Sequence, residues 1–254
     1  MSGLPIGQIV CGDCLEVMRD WPDGGVGSII TDPPFSSGSR TDAGKSMRGS
    51  MVRSAKWDAA WFSHDNMATF GFLFLMRLLF VELARVARNP ASLHAFIDWR
   101  MYPNLYGAIE SSGWVTKNLI IWDKKHFGMG SNYRNQHELV VYAEHGDVEF
   151  VRHDIGNVIT SPRADCEQHP TEKPLDLITV FIECTTKGGD LILDPFCGSG
   201  TTCVAAKMLG RRYIGIDISP EYCEIARERL RVVDTGVPAK EAKAGQLALF
   251  NERT

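Results

Sequence analysis

A chain of 254 residues that is 44% hydrophobic and 23% charged can bury one large core, and its composition is neither fibrous nor that of a disordered segment. No apolar run reaches the roughly 18 residues that span a bilayer. The start, MSGLPIGQIVCGD, lacks the basic-then-apolar pattern of a secretory signal, so the chain reads as cytoplasmic. A net charge of −4 announces no polyanion partner for the surface as a whole, and seven cysteines, an odd number, read as reduced thiols rather than a disulfide scaffold.

Helical periodicity begins at CLEVMRDW (14–21). GSIIT (27–31) reads as a buried strand that runs into DPPF (32–35), where two prolines end the ladder and leave carbonyls without partners on their own strand. A long loop follows over 36–65, whose Gly/Ser-rich part from Ser36 to Ala60 carries Arg40, Lys45, Arg48, Arg53 and Lys56 against Asp42 and Asp58. A helix at 67–87, a strand at 93–98 and a helix at 102–112 come next, then strands at 118–122 and 138–143. Between Lys117 and Arg134 lies a second basic patch, with Lys117, Lys124, Lys125 and Arg134 against Asp123. Two basic patches beside one candidate site favour a polyanion partner despite the net charge. A long loop over 144–174 precedes a helix (175–187), a strand (190–194), a helix (201–210) and a strand (212–217). The last helix, 219–233, opens with Ser219 as N-cap and Pro220 at its first position. A polar tail ending in QLALF closes the sequence.

Alternating strands and helices predict a doubly wound, Rossmann-like α/β sheet, mostly parallel with an antiparallel edge strand and helices on both faces. One domain is expected over 1–254. Cys11-x-x-Cys14 and Cys166-x-x-His169 have the spacing of zinc ligands. The pairs lie far apart and the first sits where a strand gives way to a helix, so reduced, partly buried cysteines are preferred and no metal is expected.

DLILDPFCGSGTTCVAAKMLGRRYIGIDIS (190–219) is strand, glycine turn, helix, strand and acid. Gly198 and Gly200 allow a tight turn and close approach to a ligand, and Thr201 and Thr202 open a helix whose free N–H groups favour a polar or anionic group. Asp217, at a strand's carboxyl end, is placed to accept two ribose hydroxyls. The dinucleotide pattern G-x-G-x-x-G is not met, because Cys203 stands at the third glycine position, and no phosphate loop occurs. The unit suits an adenosine without a pyrophosphate.

DPPF (32–35), HPTEKP (169–174) and DPFCGSGTT (194–202), in that order, resemble the beta group of amino-methylating DNA methyltransferases that use S-adenosylmethionine. The resemblance extends over nearly the whole chain, through GDCLEVM (12–18), ELARVARNPASLHAFID (82–98) and NLIIWDKK…YRNQHELVVYAEHG (118–146). It implies a permuted motif order, DNA as partner, a homodimer, and a bacterial, phage or mobile-element origin in the setting of restriction and modification. Residue by residue, it implies catalysis at Asp32, Pro33, Pro34 and Phe35. The cofactor would be held by Asp13 at its adenine amine and by Asp194 at its methionine amino group. Phe196, Gly198 and Gly200 would line that pocket, Asp217 would take the ribose, and Thr171 and Lys173 would close over the carboxylate. DNA contacts fall to Arg40, Lys45, Arg48, Arg53, Lys124, Lys125 and Arg134, with 36–65 and 144–168 as recognition loops.

The chemistry explains these residue types. An exocyclic amine is a poor nucleophile because its lone pair is conjugated into the ring. Acceptance of its two N–H groups by Asp32 and the Pro33 carbonyl pulls the nitrogen toward tetrahedral geometry, while Phe35 stacks on the flipped base. Adenine N6 is preferred over cytosine N4, since cytosine relatives more often carry serine where Asp32 stands. An RNA base or protein glutamine methyltransferase, or an inactive DNA-binding subunit, are the alternatives. Phenylalanine stands where tyrosine is common in the family, and a large separate target-recognition domain is lacking.

Overall fold

The computed structural model describes residues 3–35, 69–128, 132–163 and 172–236. Eight strands form one sheet: β1 (Gln8–Cys11), β2 (Val26–Thr31), β3 (Ala87–Ile97), β4 (Val115–Asp123), β5 (His137–His145), β6 (Val158–Thr160), β7 (Leu191–Asp194) and β8 (Arg212–Asp217). Their order is β1-β8-β7-β2-β3-β5-β4-β6. All neighbouring pairs are parallel except β3–β5 and β4–β5, so β5 alone runs against the rest. The fold class is the one read from the sequence. The antiparallel strand differs in place: it lies two strands inside the sheet's end, because β4 and the short β6 extend the sheet beyond it.

Alternation across the pleat sorts the core into two layers. On one face, Ile29 of β2, Leu193 of β7 and Ile214 of β8 pack against α1 (Cys14–Met18), α2 (Thr69–Val86) and α3 (Tyr102–Glu110). On the other, Ile30 and Ile192 meet α4 (Leu175–Thr185), α5 (Thr201–Met208) and α6 (Pro220–Thr235). β2 is buried at all six positions, which explains its unbroken apolar character.

Two strands escaped the sequence reading. β1 has four residues and β6 three, and both are edge strands too short to show a period. β3 starts six residues earlier than the expected 93–98, directly after α2. Arg88, Asn89 and Pro90 disguise that first half. Pro90 is tolerated because pairing with β5 begins only at Ala91, and pairing with β2 skips from Ala87 to Ser92. α6 opens as read, with the Ser219 hydroxyl accepting the Tyr222 N–H, and ends on Gly236 at φ 69°. Among the described residues no helix is long and apolar enough to cross a membrane.

Candidate active site

Parallel strands deliver their last residues to one edge, and four acids arrive there in row. Asp13 follows β1, Asp217 ends β8, Asp194 ends β7 and Asp32 follows β2, and these strands are consecutive neighbours. The register pairs Cys11 with Asp217, Asp194 with Gly215 and Ile29 with Leu193, which sets the glycine turn and the DPPF turn side by side.

The glycine turn is held by Asp217. One of its oxygens accepts the Gly198 N–H at 2.9 Å and the other the Ser219 N–H at 2.8 Å. Each oxygen keeps a further lone pair for a ribose hydroxyl. Burial raises the Asp217 carboxyl above its ordinary value, and those two amides oppose the rise. Gly200 caps α5 at φ 84°, and a Cβ there would lie 2.7 Å from the Ala226 Cβ of α6, so no other residue fits. Asp13 is exposed and caps α1, accepting the Leu15 and Glu16 N–H groups through Oδ1.

Asp194 is 5% exposed and accepts the Phe196 N–H at 3.1 Å. Burial pushes its carboxyl up to about 7, against the pull of Thr202 and the Phe196 amide, with Asp32 and Asp217 adding to the rise. No cation pairs with it among the interactions that set its ionisation. Three neighbouring acids, one of them buried with no cation beside it among the described residues, make a setting that suits a cationic ligand. The half-buried Phe196 packs against the first core layer, and Phe35 against both.

At the DPPF turn, Pro33 is buried and Asp32 half-buried. Asp32 Oδ2 is ion-paired to Lys173, while Oδ1 is buried and without a hydrogen-bond partner among the described residues. Burial raises the Asp32 carboxyl, an effect that the Lys173 ammonium opposes and Glu138 reinforces. Burial alone would lower Lys173, but Asp32 and Glu138 together carry it above its usual value. The ammonium lies 5.0 Å from the Phe96 ring and 5.6 Å from that of Phe35.

The expected DNA-contact residues divide. Lys124 is buried, ion-paired to Glu138, and 4.7 Å from the Trp122 ring, so its charge faces the site rather than the surface. Lys125 and Arg134 are exposed at the base of the β4–β5 hairpin, where the Arg134 guanidinium lies 3.6 Å over Phe127. Phe127 and Tyr133 are also exposed there and were not singled out in the sequence; aromatic rings beside cations are the usual composition of a nucleic-acid surface. Arg40, Lys45, Arg48, Arg53 and Thr171 lie outside the described residues, as do Cys166, His169 and the whole 36–65 stretch. Of the 144–168 loop, β6 and its approach are described: the Trp122 indole N–H donates to the Ser161 carbonyl at 2.8 Å.

Two further groups carried no sequence signal. Glu138, at the start of β5, contacts both Lys173 and Lys124. Arg229 of α6 donates to the Ser199 carbonyl at 2.9 Å and to the Thr201 hydroxyl at 3.1 Å, and pairs with Glu172 at 2.6 Å. It thereby fastens the glycine turn to the segment that carries Lys173.

Comparison with known proteins identifies the family and the fold. The family described as DNA methylase, grouping N6 and N4 amino-methyltransferases, matches residues 26–228. The chain is 30% identical to the type II methyltransferase M2.DpnII of Streptococcus pneumoniae, over 87% of this chain and 88% of that one. Among solved structures, M1.HpyAVI in complex with SAM superposes with a TM-score of 0.64 at 26% identity, covering 88% of this chain and 99% of the other. The cytosine-N4-specific PvuII DNA methyltransferase superposes at 0.70 with 15% identity over 96% and 91%, a likeness of fold alone.

Proposed function

The chain belongs to the DNA methylase family of N6-adenine and N4-cytosine amino-methyltransferases, and from that premise we propose that it transfers a methyl group from S-adenosylmethionine to the exocyclic N6 of adenine in DNA. One observation carries the reading: Asp32 presents a buried oxygen with no partner at the carboxyl edge, beside a proline carbonyl. An unpaired buried acceptor costs about 1–3 kcal/mol, a cost that an incoming N–H offsets.

Bound S-adenosylmethionine supplies an electrophilic methyl on a sulfonium sulfur. Asp194, buried and without a paired cation among the described residues, would hold the cationic amino group, and Asp217, which fixes the Gly198 amide, would take the ribose. Asp32 Oδ1 and the Pro33 carbonyl each accept one N–H of the target amine, which turns its lone pair out of conjugation. Phe35 stacks on the base. The proton released by the amine passes first to the adjacent Asp32 carboxylate, whose raised affinity for protons suits it to that task. Lys125, Arg134 and the two loops supply the DNA contacts, and a homodimer would join two such surfaces. Asp32 at the head of the motif favours adenine over cytosine.

The test is transfer of a tritiated methyl group to duplex DNA, followed by digestion to nucleosides. Label in N6-methyldeoxyadenosine is expected. Label in N4-methyldeoxycytidine, or on RNA alone, overturns the assignment.

A further inference from the structure

Four ionisable side chains from four separate segments meet beside Phe35: Asp32 after β2, Lys124 after β4, Glu138 on β5 and Lys173 before α4. Their side chains are 28%, 10%, 20% and 10% exposed. Charges alternate along Asp32, Lys173, Glu138 and Lys124, so the set is neutral. Buried ion pairs contribute little net stability compared with apolar residues of similar size, so folding alone does not account for them.

What the set accomplishes is geometric. The Lys173 ammonium has three donors. One meets Asp32 Oδ2, and on the other side Glu138 Oε2 lies 3.5 Å away. Lys124 takes the other Glu138 oxygen, Oε1, and so turns Oε2 toward Lys173. An ammonium facing a lone carboxylate is free to straddle both oxygens, and here the second carboxylate draws it aside. Two carboxylate oxygens of the set have no hydrogen-bond partner among the described residues: Glu138 Oε2, which meets Lys173 only at ion-pair distance, and Asp32 Oδ1, the one left open at the DPPF turn.

We propose that Glu138 is a positioning residue for methyl transfer: it draws Lys173 toward itself, so that the lysine engages Asp32 through Oδ2 alone and Oδ1 stays free for the target amine. This rests on the reading of Asp32 as the amine's acceptor. Glu138 itself touches neither base nor cofactor in this scheme.

The experiment compares wild type with Glu138→Gln, measuring cofactor affinity by calorimetry, and kcat/KM for DNA against pH. Cofactor affinity should stay within about twofold, while kcat/KM falls roughly tenfold or more as Lys173 captures Oδ1. The acid limb of the profile should move to lower pH. Asp32 is faced by Lys173, Glu138, Lys124 and, across the strand ends, Asp194. Removing the Glu138 charge takes away a repulsion and gives Lys173 wholly to Asp32, so ionisation of Asp32 becomes easier. Glu138→Asp should recover part of the rate. A purely structural role would lower cofactor binding and melting temperature together and leave the acid limb in place. If Glu138→Gln fails to fold, Lys124→Met combined with Glu138→Gln keeps the set neutral and is measured instead, with the same rate loss expected and a smaller limb shift in the same direction, because Lys124 also favours the ionised Asp32. Unchanged kcat/KM and pH profile in the folded variant overturn the role of Glu138. Absence of methyl transfer to any base amine by the wild type overturns the functional reading instead, which keeps the two failures apart.

Discussion

Asp194 ends a strand where water does not reach its carboxyl, and its affinity for a proton rises to about 7 from the ordinary 3.8. Between those values the ligand-free folded chain holds a proton that the unfolded chain has lost. Stability contributed at this site is therefore complete below about pH 4 and is lost as pH rises through about 7. A cationic ligand has the opposite demand, since it prefers the ionised acid. Affinity for S-adenosylmethionine should rise with pH up to about 7 and level off, with proton release on binding below that pH visible in calorimetry run in two buffers. Asp194→Asn should flatten that dependence and weaken binding. Binding that falls as pH rises from about 5 to about 7 would contradict the role given to this acid.

At the scale of elements, the glycine turn depends on neighbours it cannot recruit by itself. Arg229 reaches from α6 to Ser199, Thr201 and Glu172, three groups that belong to two different segments. Charge-assisted hydrogen bonds contribute about 1.5–3 kcal/mol each in favourable settings, so Arg229→Ala should raise the cofactor KM by roughly tenfold or more. Because Arg229 does not face the base, kcat at saturating cofactor should change far less; a variant that loses kcat alone would contradict this. The strands that carry the site were legible because β2, β7 and β8 are short buried runs that end in an acid or are followed at once by one. Asp32, Asp194 and Asp217 could be placed on one edge from that pattern. Glu138 and Arg229 could not, since each acts through partners on other segments of the chain and neither disturbs a local period. Nor could Lys124 be told from its exposed neighbour Lys125, because a charge patch in sequence does not say which lysine turns inward.

The whole molecule adds a pH limit of its own. His94 on β3 is 2% exposed, stacks on Phe181 at 4.6 Å, and has its ring lowered by burial to about 3 from 6.5. The folded chain thus resists protonation of this ring while the unfolded chain accepts it. Stability from His94 is present above about 6.5 and is lost as pH falls toward 3, on the order of several kcal/mol in full. His94→Phe should retain the stacking and flatten the acid arm of a melting-temperature profile; an unchanged acid arm would assign that loss elsewhere. The overall architecture was legible, because alternating elements admit few arrangements other than a covered, mostly parallel sheet. Its ends were not, since β1 and β6 are edge strands that borrow their order from neighbours.

The most direct measurement is a single-turnover reaction with duplex DNA, comparing the wild type with Asp32→Ala, both first shown by calorimetry to bind S-adenosylmethionine. The wild type should yield N6-methyldeoxyadenosine, and the variant should bind the cofactor yet lose transfer by roughly a thousandfold or more. Transfer retained by Asp32→Ala would contradict the amine-acceptor role on which the site is built.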